Sequence, residues 1–178
     1  MKLKTSQLMV VSCGIAFQAL ILVLLNAFIP KLAGTDAMWI AFQAWAVYFL
    51  AGCTLLGGLR AWIGYATGIA ASIAIIALMG FPVIKNIPAV GGMNLVMALA
   101  VFIVVIPAIM SENLKNMVPA LFIGSGAFFG LSQIMSAANP EVTHLDVARA
   151  ELVYCAVGLL FGFITVFWRG KYEASLKK

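Results

Sequence analysis

Residues Leu8–Ile29 read LMVVSCGIAFQALILVLLNAFI, an apolar run with no Asp, Glu, Lys or Arg in it. A hydrocarbon core of about 30 Å takes roughly 20 apolar residues in helical form, so this stretch is long enough to cross a bilayer. It is too long for the apolar segment of a secretory signal, and no small-residue cleavage site follows it. It is therefore expected to stay in place as a membrane span. The rest of the chain continues in the same way: of its 178 residues 64% are hydrophobic and only 10% charged, and the mean hydropathy is +1.09. A soluble domain carries roughly 25% charged residues. This chain lacks the polar residues to coat a water-soluble core of its size, which leaves the bilayer as the solvent for most of its surface.

The length rule that reads the first run divides the whole chain. Six spans are predicted, near Leu8–Ile29, Met38–Leu56, Ala61–Phe81, Gly91–Met110, Met117–Ser136 and Val147–Trp168. The breaks carry turn and loop residues: Pro30-Lys31 with Gly34-Thr35-Asp36, then Gly57-Gly58 with Arg60, then Pro82 to Pro88, Glu112 to Asn116, and Asn139-Pro140-Glu141. No room remains for a soluble domain, so residues 1–178 are expected to form a single all-α transmembrane domain.

The net charge is +5, but the basic residues lie between and beyond the apolar runs instead of forming one patch. They read as topology signals and not as a nucleic-acid surface. With the N-terminus inside, Lys2, Lys4, Arg60, Lys115, Arg169, Lys171, Lys177 and Lys178 fall on the inner side, and Lys31, Lys85 and Arg149 on the outer. The excess predicts both termini in the cytoplasm. Trp39, Trp62 and Trp168 fall at predicted span ends, where an amphipathic ring suits the headgroup level; Trp45 does not. Two sets of three spans would also leave the second set inverted relative to the first, as in inverted-repeat transporters. Tyr48-Phe49 and Gly64-Tyr65 in one half and Phe128-Phe129 and Tyr154 in the other do not match in spacing, so a 3+3 repeat stays open at this point.

Glycine recurs at helical spacing as Gly64-x-x-x-Gly68, Gly126-x-x-x-Gly130 and Gly158-x-x-x-Gly162. Lipid offers little hydrophobic drive between helices, so small residues that let backbones approach are expected to mark helix contacts, within the chain or between subunits. Pro107 and Pro119 are positions where a span can kink.

Chemistry is defined as much by what is missing. No Asp, Glu, Lys or Arg lies near the middle of a predicted span, where pumps place their relays, and neither a Walker loop nor a nucleophile elbow is present. Cys13, Cys53 and Cys155 all fall in apolar segments, with no Cys-x-x-Cys and no histidine at ligand spacing. An enzyme, a metal centre and a cofactor are therefore not expected. The spans hold neutral polar groups instead: Gln18 and Asn26, Gln43 and Tyr48, Thr67 and Ser72, Asn94, Ser125, Ser132 and Gln133, Tyr154 and Thr165. Such groups exchange hydrogen bonds without carrying charge, which suits a path for a small uncharged solute; interhelical hydrogen bonds use the same residue types. Gln43, Trp45, Tyr48, Asn94, Ser125, Phe128 and Tyr154 are the candidate lining, and Trp45, Tyr48 and Phe49 share a narrow arc that can form a constriction. The loop Asn139–Glu151 holds the lone histidine, His144, with Glu141, Asp146, Arg149 and Glu151. It reads as solvated, with Asp146 capping the last helix.

Three stretches together carry a likeness: Trp39-x-x-Phe42 leading to Tyr48-Phe49 and Gly57-Gly58-Leu59-Arg60; Pro119-x-x-Phe122-Ile123-Gly124 with Phe129; and Gly158-Leu159-Leu160-Phe161-Gly162-Phe163. From Trp39 onward the chain resembles the YcdZ-like small bacterial inner-membrane proteins, a domain of unknown function. That resemblance implies the inner membrane and at most a permease-like role, and transfers no catalytic residues. The combined expectation is a channel or facilitator for a small, uncharged polar solute, working as a homo-oligomer. Its alternatives are a secondary transporter of inverted-repeat architecture and a non-transporting anchor or assembly subunit.

Overall fold

The computed structural model describes residues 4–88, 95–111 and 117–177. Among them the chain is helical, without strands, in the order α1 (Thr5–Leu25), α2 (Ile29–Ala33), α3 (Met38–Leu50), α4 (Leu55–Met79), α5 (Pro82–Lys85), α6 (Leu95–Met110), α7 (Val118–Ala138) and α8 (His144–Ser175). Four of these, α1, α4, α7 and α8, are long and apolar enough to cross a membrane. The predicted second and fourth spans correspond to shorter helices of 13 and 16 residues. At 1.5 Å per residue α3 covers only about 20 Å. Residues 91–94 of the predicted fourth span lie outside the described residues.

Local chemistry explains why α3 stops early. Gly52 adopts a left-handed φ of 84°. Its N–H donates to the Phe49 carbonyl at 3.2 Å and the Cys53 N–H to the Tyr48 carbonyl at 3.3 Å, the paired bonds of a Schellman ending. Thr54 then caps α4 by accepting from the Gly57 N–H at 3.0 Å. The turn therefore sits at 51–54 and not at Gly57-Gly58, which belong to the first turn of α4. Both glycines are required there: a Cβ on Gly57 would collide with the Ala51 carbonyl, and one on Gly58 would lie 2.9 Å from the Tyr48 ring. Pro119 occupies the first turn of α7, where the missing N–H costs nothing. α8 begins at His144 with a capping box in which Asp146 accepts from the Thr143 N–H at 2.9 Å and Thr143 accepts from the Asp146 N–H at 3.3 Å. The tail of the predicted outer loop, Glu151 included, is thus helix.

Contacts fix the running directions. Ala41 meets Gly158, Tyr48 meets Gly162, and Trp45 bonds Thr165, so α3 runs parallel to α8. Gly14 lies against Trp168, Gln18 bonds Thr165 and Asn26 bonds Tyr154, so α1 runs antiparallel to it. Gly58 packs on Tyr48, itself against Gly162, whereas Tyr65 is near Glu151 and Cys155, so α4 is also antiparallel to α8. The same holds for α7, whose Gly124 meets Tyr65 and whose Phe128 ring lies 6.2 Å from His144. The start of α1 and the end of α8 therefore share one side of the molecule. Among the described residues the two most extensive interfaces are α4 with α7 and α3 with α8, and each closes over glycine. A Cβ on Gly68 would collide with the Leu121 carbonyl, and a Cβ on Gly158 with the Ala41 carbonyl. The connection between α1 and α3 is not an open loop: Ala33 and Ala37 are buried, and it packs against α8 at Tyr154, roughly 15 Å along that helix from its first residue.

Candidate functional site

α8 presents a buried stripe of Glu151, Tyr154, Cys155, Gly158, Gly162 and Thr165. The spacing is that of one helical face, with polar groups at both ends and glycines between them.

At the C-terminal end of the stripe, the Thr165 hydroxyl accepts the Trp45 indole N–H at 3.0 Å. It lies 2.6 Å from Gln18 Oε1 and 2.8 Å from its own helix's Phe161 carbonyl, with one proton to give to one of them. Gln18, Trp45 and Thr165 are all buried, and they tie α1, α3 and α8 together. Thr165 also borders a cavity of about 410 Å³ whose other walls include Ile15, Phe49, Cys53, Arg169 and Glu173. Arg169 Nε and Glu173 Oε1 pair at 2.7 Å beside it. A second hollow of about 260 Å³ follows α1 and α3 past Phe42 and Trp45 and is apolar throughout. The walls of the larger cavity are mostly apolar, and the Thr165 hydroxyl and the Arg169–Glu173 ion pair are the polar groups that face it.

At the N-terminal end, the Tyr154 hydroxyl contacts Asn26 Oδ1 at 3.1 Å and the Thr35 carbonyl at 3.0 Å. Asn26 in turn donates to Asp36 at 3.0 Å, and Asp36 accepts the Met38 N–H at 3.3 Å at the start of α3. Beside this satisfied network stands an unsatisfied one. Glu151 and Tyr65 are both 0% exposed, and among the described residues neither Glu151 carboxyl oxygen nor the Tyr65 hydroxyl has a hydrogen-bond partner. Cys155, also fully buried, is within electrostatic reach of both.

The candidate lining residues do not converge on one channel. Trp45 and Tyr48 are buried against α8, while Gln43 points to the exposed side of α3. Ser125 meets Ser72 across α4 and α7 with hydroxyls 2.7 Å apart. Phe128 is fully buried beside the Phe129 and His144 rings, Tyr154 lies in the Asn26 network, and Asn94 is outside the described residues. Of the glycine positions, Gly64, Gly68, Gly158 and Gly162 are buried; a Cβ on Gly126 would meet nothing within 4 Å, and one on Gly130 only the Trp39 ring at 3.9 Å. Glu151, read from the sequence as the end of a solvated loop that also holds Glu141, His144, Asp146 and Arg149, is instead fully buried. Its spacing to Tyr154 and Cys155, three and four residues on, is the signal that puts it on the buried face. Of the three cysteines only Cys155 is buried; Cys53 lies in the turn before α4 and Cys13 is exposed.

Residues 14–170 match the family model described as a protein of unknown function (DUF1097). No curated protein and no solved structure matches the chain.

Proposed function

We propose that this chain, which belongs to the DUF1097 family of proteins of unknown function, is a membrane carrier for a small, uncharged polar solute, built from two inverted three-helix halves. One observation carries the reading. If α1, α3 and α4 form one half and α6, α7 and α8 the other, the inverting two-fold exchanges α3 with α7 and α4 with α8. It then exchanges the α3–α8 interface with the α7–α4 interface, and those are the two most extensive among the described residues. Both are closed by a glycine against a facing carbonyl, Gly158 on Ala41 and Gly68 on Leu121. Such halves rock against each other in alternating access.

The cavity above Thr165 is the solute's entry from the side shared by both termini. The excess of Lys and Arg makes that side the cytoplasm, in the bacterial inner membrane that the YcdZ-like resemblance implies. α3 and α6 supply the two return crossings that complete six spans. The exposed face of α7 at Gly126 and Gly130, flanked by the exposed Phe122 and Ile134, suits contact with a second copy in a homo-oligomer.

Uptake into proteoliposomes of a panel of small neutral solutes, such as urea, glycerol and short polyols, tests the reading. The expected result is saturable flux, reduced at least several-fold in Thr165→Val and Trp45→Phe per folded protein. Flux that rises linearly with concentration would return the protein to an open facilitator. No flux from correctly inserted protein would leave an anchoring subunit.

A further inference from the structure

We propose that Glu151, beside Tyr65 where α4 crosses α8, is a proton-binding site that loads and unloads as the two halves move. The transport reading supplies its use, but proton binding stands or falls separately.

The geometry is unusual for a structural residue. A buried carboxyl retained for architecture has hydrogen-bond partners, because an unpaired polar group out of water costs kcal/mol and an unpaired charge far more. Among the described residues Glu151 has none on either oxygen, and Tyr65, equally buried, keeps a phenol that bonds to nothing. Phenylalanine would pack as well in its place, so the hydroxyl is an independent pointer to a role. Gly124 presses the α7 backbone against Tyr65, where a Cβ would lie 2.9 Å from the Tyr65 Cα, holding the ring toward α8. The site lies where the two halves meet, which is where coupling sites of inverted-repeat carriers lie. Polar groups inside a membrane protein are costly and kept for function.

The surroundings leave the proton as the ligand. From α4 the facing titratable group is Tyr65; from α8 they are Cys155 and, one residue before it, Tyr154. From the α1–α3 connection Asp36 reaches Tyr154 through Asn26. α7 contributes the apolar Phe128. Arg149 is exposed, so among the described residues no buried cation stands by to neutralise a carboxylate. In the loaded state Glu151 is the neutral carboxylic acid, shut away from water beside Tyr65. When the halves part and water enters, the acid O–H bond breaks, the proton leaves as hydronium, and Tyr65 turns its hydroxyl to donate to the carboxylate left behind. The reverse step restores the acid, and no other reactant is consumed.

Infrared difference spectra of the reconstituted protein, recorded as pH is stepped, read the site directly. The expected result is a carboxylic-acid C=O band that disappears as pH rises, is lost in Glu151→Gln, and shifts in frequency and midpoint in Tyr65→Phe. Glu151→Asp keeps a carboxyl and serves if Glu151→Gln fails to fold; its band is expected to titrate with a shifted midpoint. A band unchanged over the whole pH range of the folded protein, or a titrating band that survives Glu151→Gln, overturns the proposal. Solute uptake measured in parallel separates the two readings. Titration at Glu151 without flux sinks the transport reading alone, and flux with an unchanging carboxyl sinks the proton site alone.

Discussion

At the scale of single residues, the molecule separates groups that are chemically alike by what surrounds them. The three thiols show this most directly: Cys155 is fully buried on α8, Cys53 borders the cavity from the turn between α3 and α4, and Cys13 is exposed on α1. A membrane-impermeant alkylating reagent applied from the side of the termini is expected to modify Cys53 and to leave Cys155 untouched until the protein unfolds. Peptide mass spectrometry reads both sites, and equal modification of Cys155 in folded protein would contradict the packing of α8 on α3 and α4. Thr165 makes a second contrast. Replacing it by valine keeps the volume but strands the buried Trp45 N–H, at a cost of about 1–3 kcal/mol, measurable as a lowered midpoint of thermal unfolding. Neutral polar residues such as Gln18, Asn26, Tyr154 and Thr165 were legible in the sequence as a class. Which of them meet was not, because each bond joins positions more than a hundred residues apart. Glu151 escaped for a different reason: charge is read as a loop signal wherever a polar stretch adjoins an apolar one, and only its phase relative to Tyr154 and Cys155 says that it turns inward.

At the scale of elements, hydropathy located every long helix but misjudged where some end. Apolar content averages over a window, whereas a helix stops at a particular backbone bond. The Schellman turn at Gly52 and Cys53 is built from two hydrogen bonds that leave almost no hydropathy trace. α8 starts earlier than its apolar run because Thr143 and Asp146 cap it reciprocally. Replacing Thr143 by alanine is expected to cost about 1 kcal/mol, seen as faster hydrogen exchange confined to the first turns of α8. The glycine seams divide in the same way. A leucine at Gly158 must displace the Ala41 backbone, so it is expected to destabilise the fold by about 3 kcal/mol or more, beyond ordinary overpacking. A leucine at Gly126 has open space before it and is expected to leave the monomer's unfolding midpoint within a degree or two of wild type while weakening any oligomer that uses that face. Sedimentation in detergent together with thermal unfolding separates these outcomes. A Gly126→Leu protein as unstable as Gly158→Leu would mean that the two faces are not distinguished as described.

At the scale of the whole molecule, four helices among the described residues reach the usual spanning length, and the proposed six crossings rest on the directions in which the helices run. α1, α4 and α7 all run opposite to α8. Two consecutive long helices that run the same way cannot be joined without a return of the chain between them. α3 runs back between α1 and α4, parallel to α8, and is preceded by the buried Ala33 and Ala37. Between α4 and α7 the helix available is α6, which packs on α4. If α6 crosses, as the proposed carrier requires, three crossings run one way and three the other; the termini lie together and the connection around α5 lies opposite to them. In a protein whose native cysteines are replaced by serine, Lys85→Cys is expected to react with an impermeant thiol reagent from the outside of intact cells. Met117→Cys at the start of α7 is expected to react only after the membrane is made permeable. Labelling of both from the outside would mean that α6 does not cross. The even count, the inverted halves and the exchange of the α3–α8 and α4–α7 interfaces would then fall together, because each needs the chain to come back through α6.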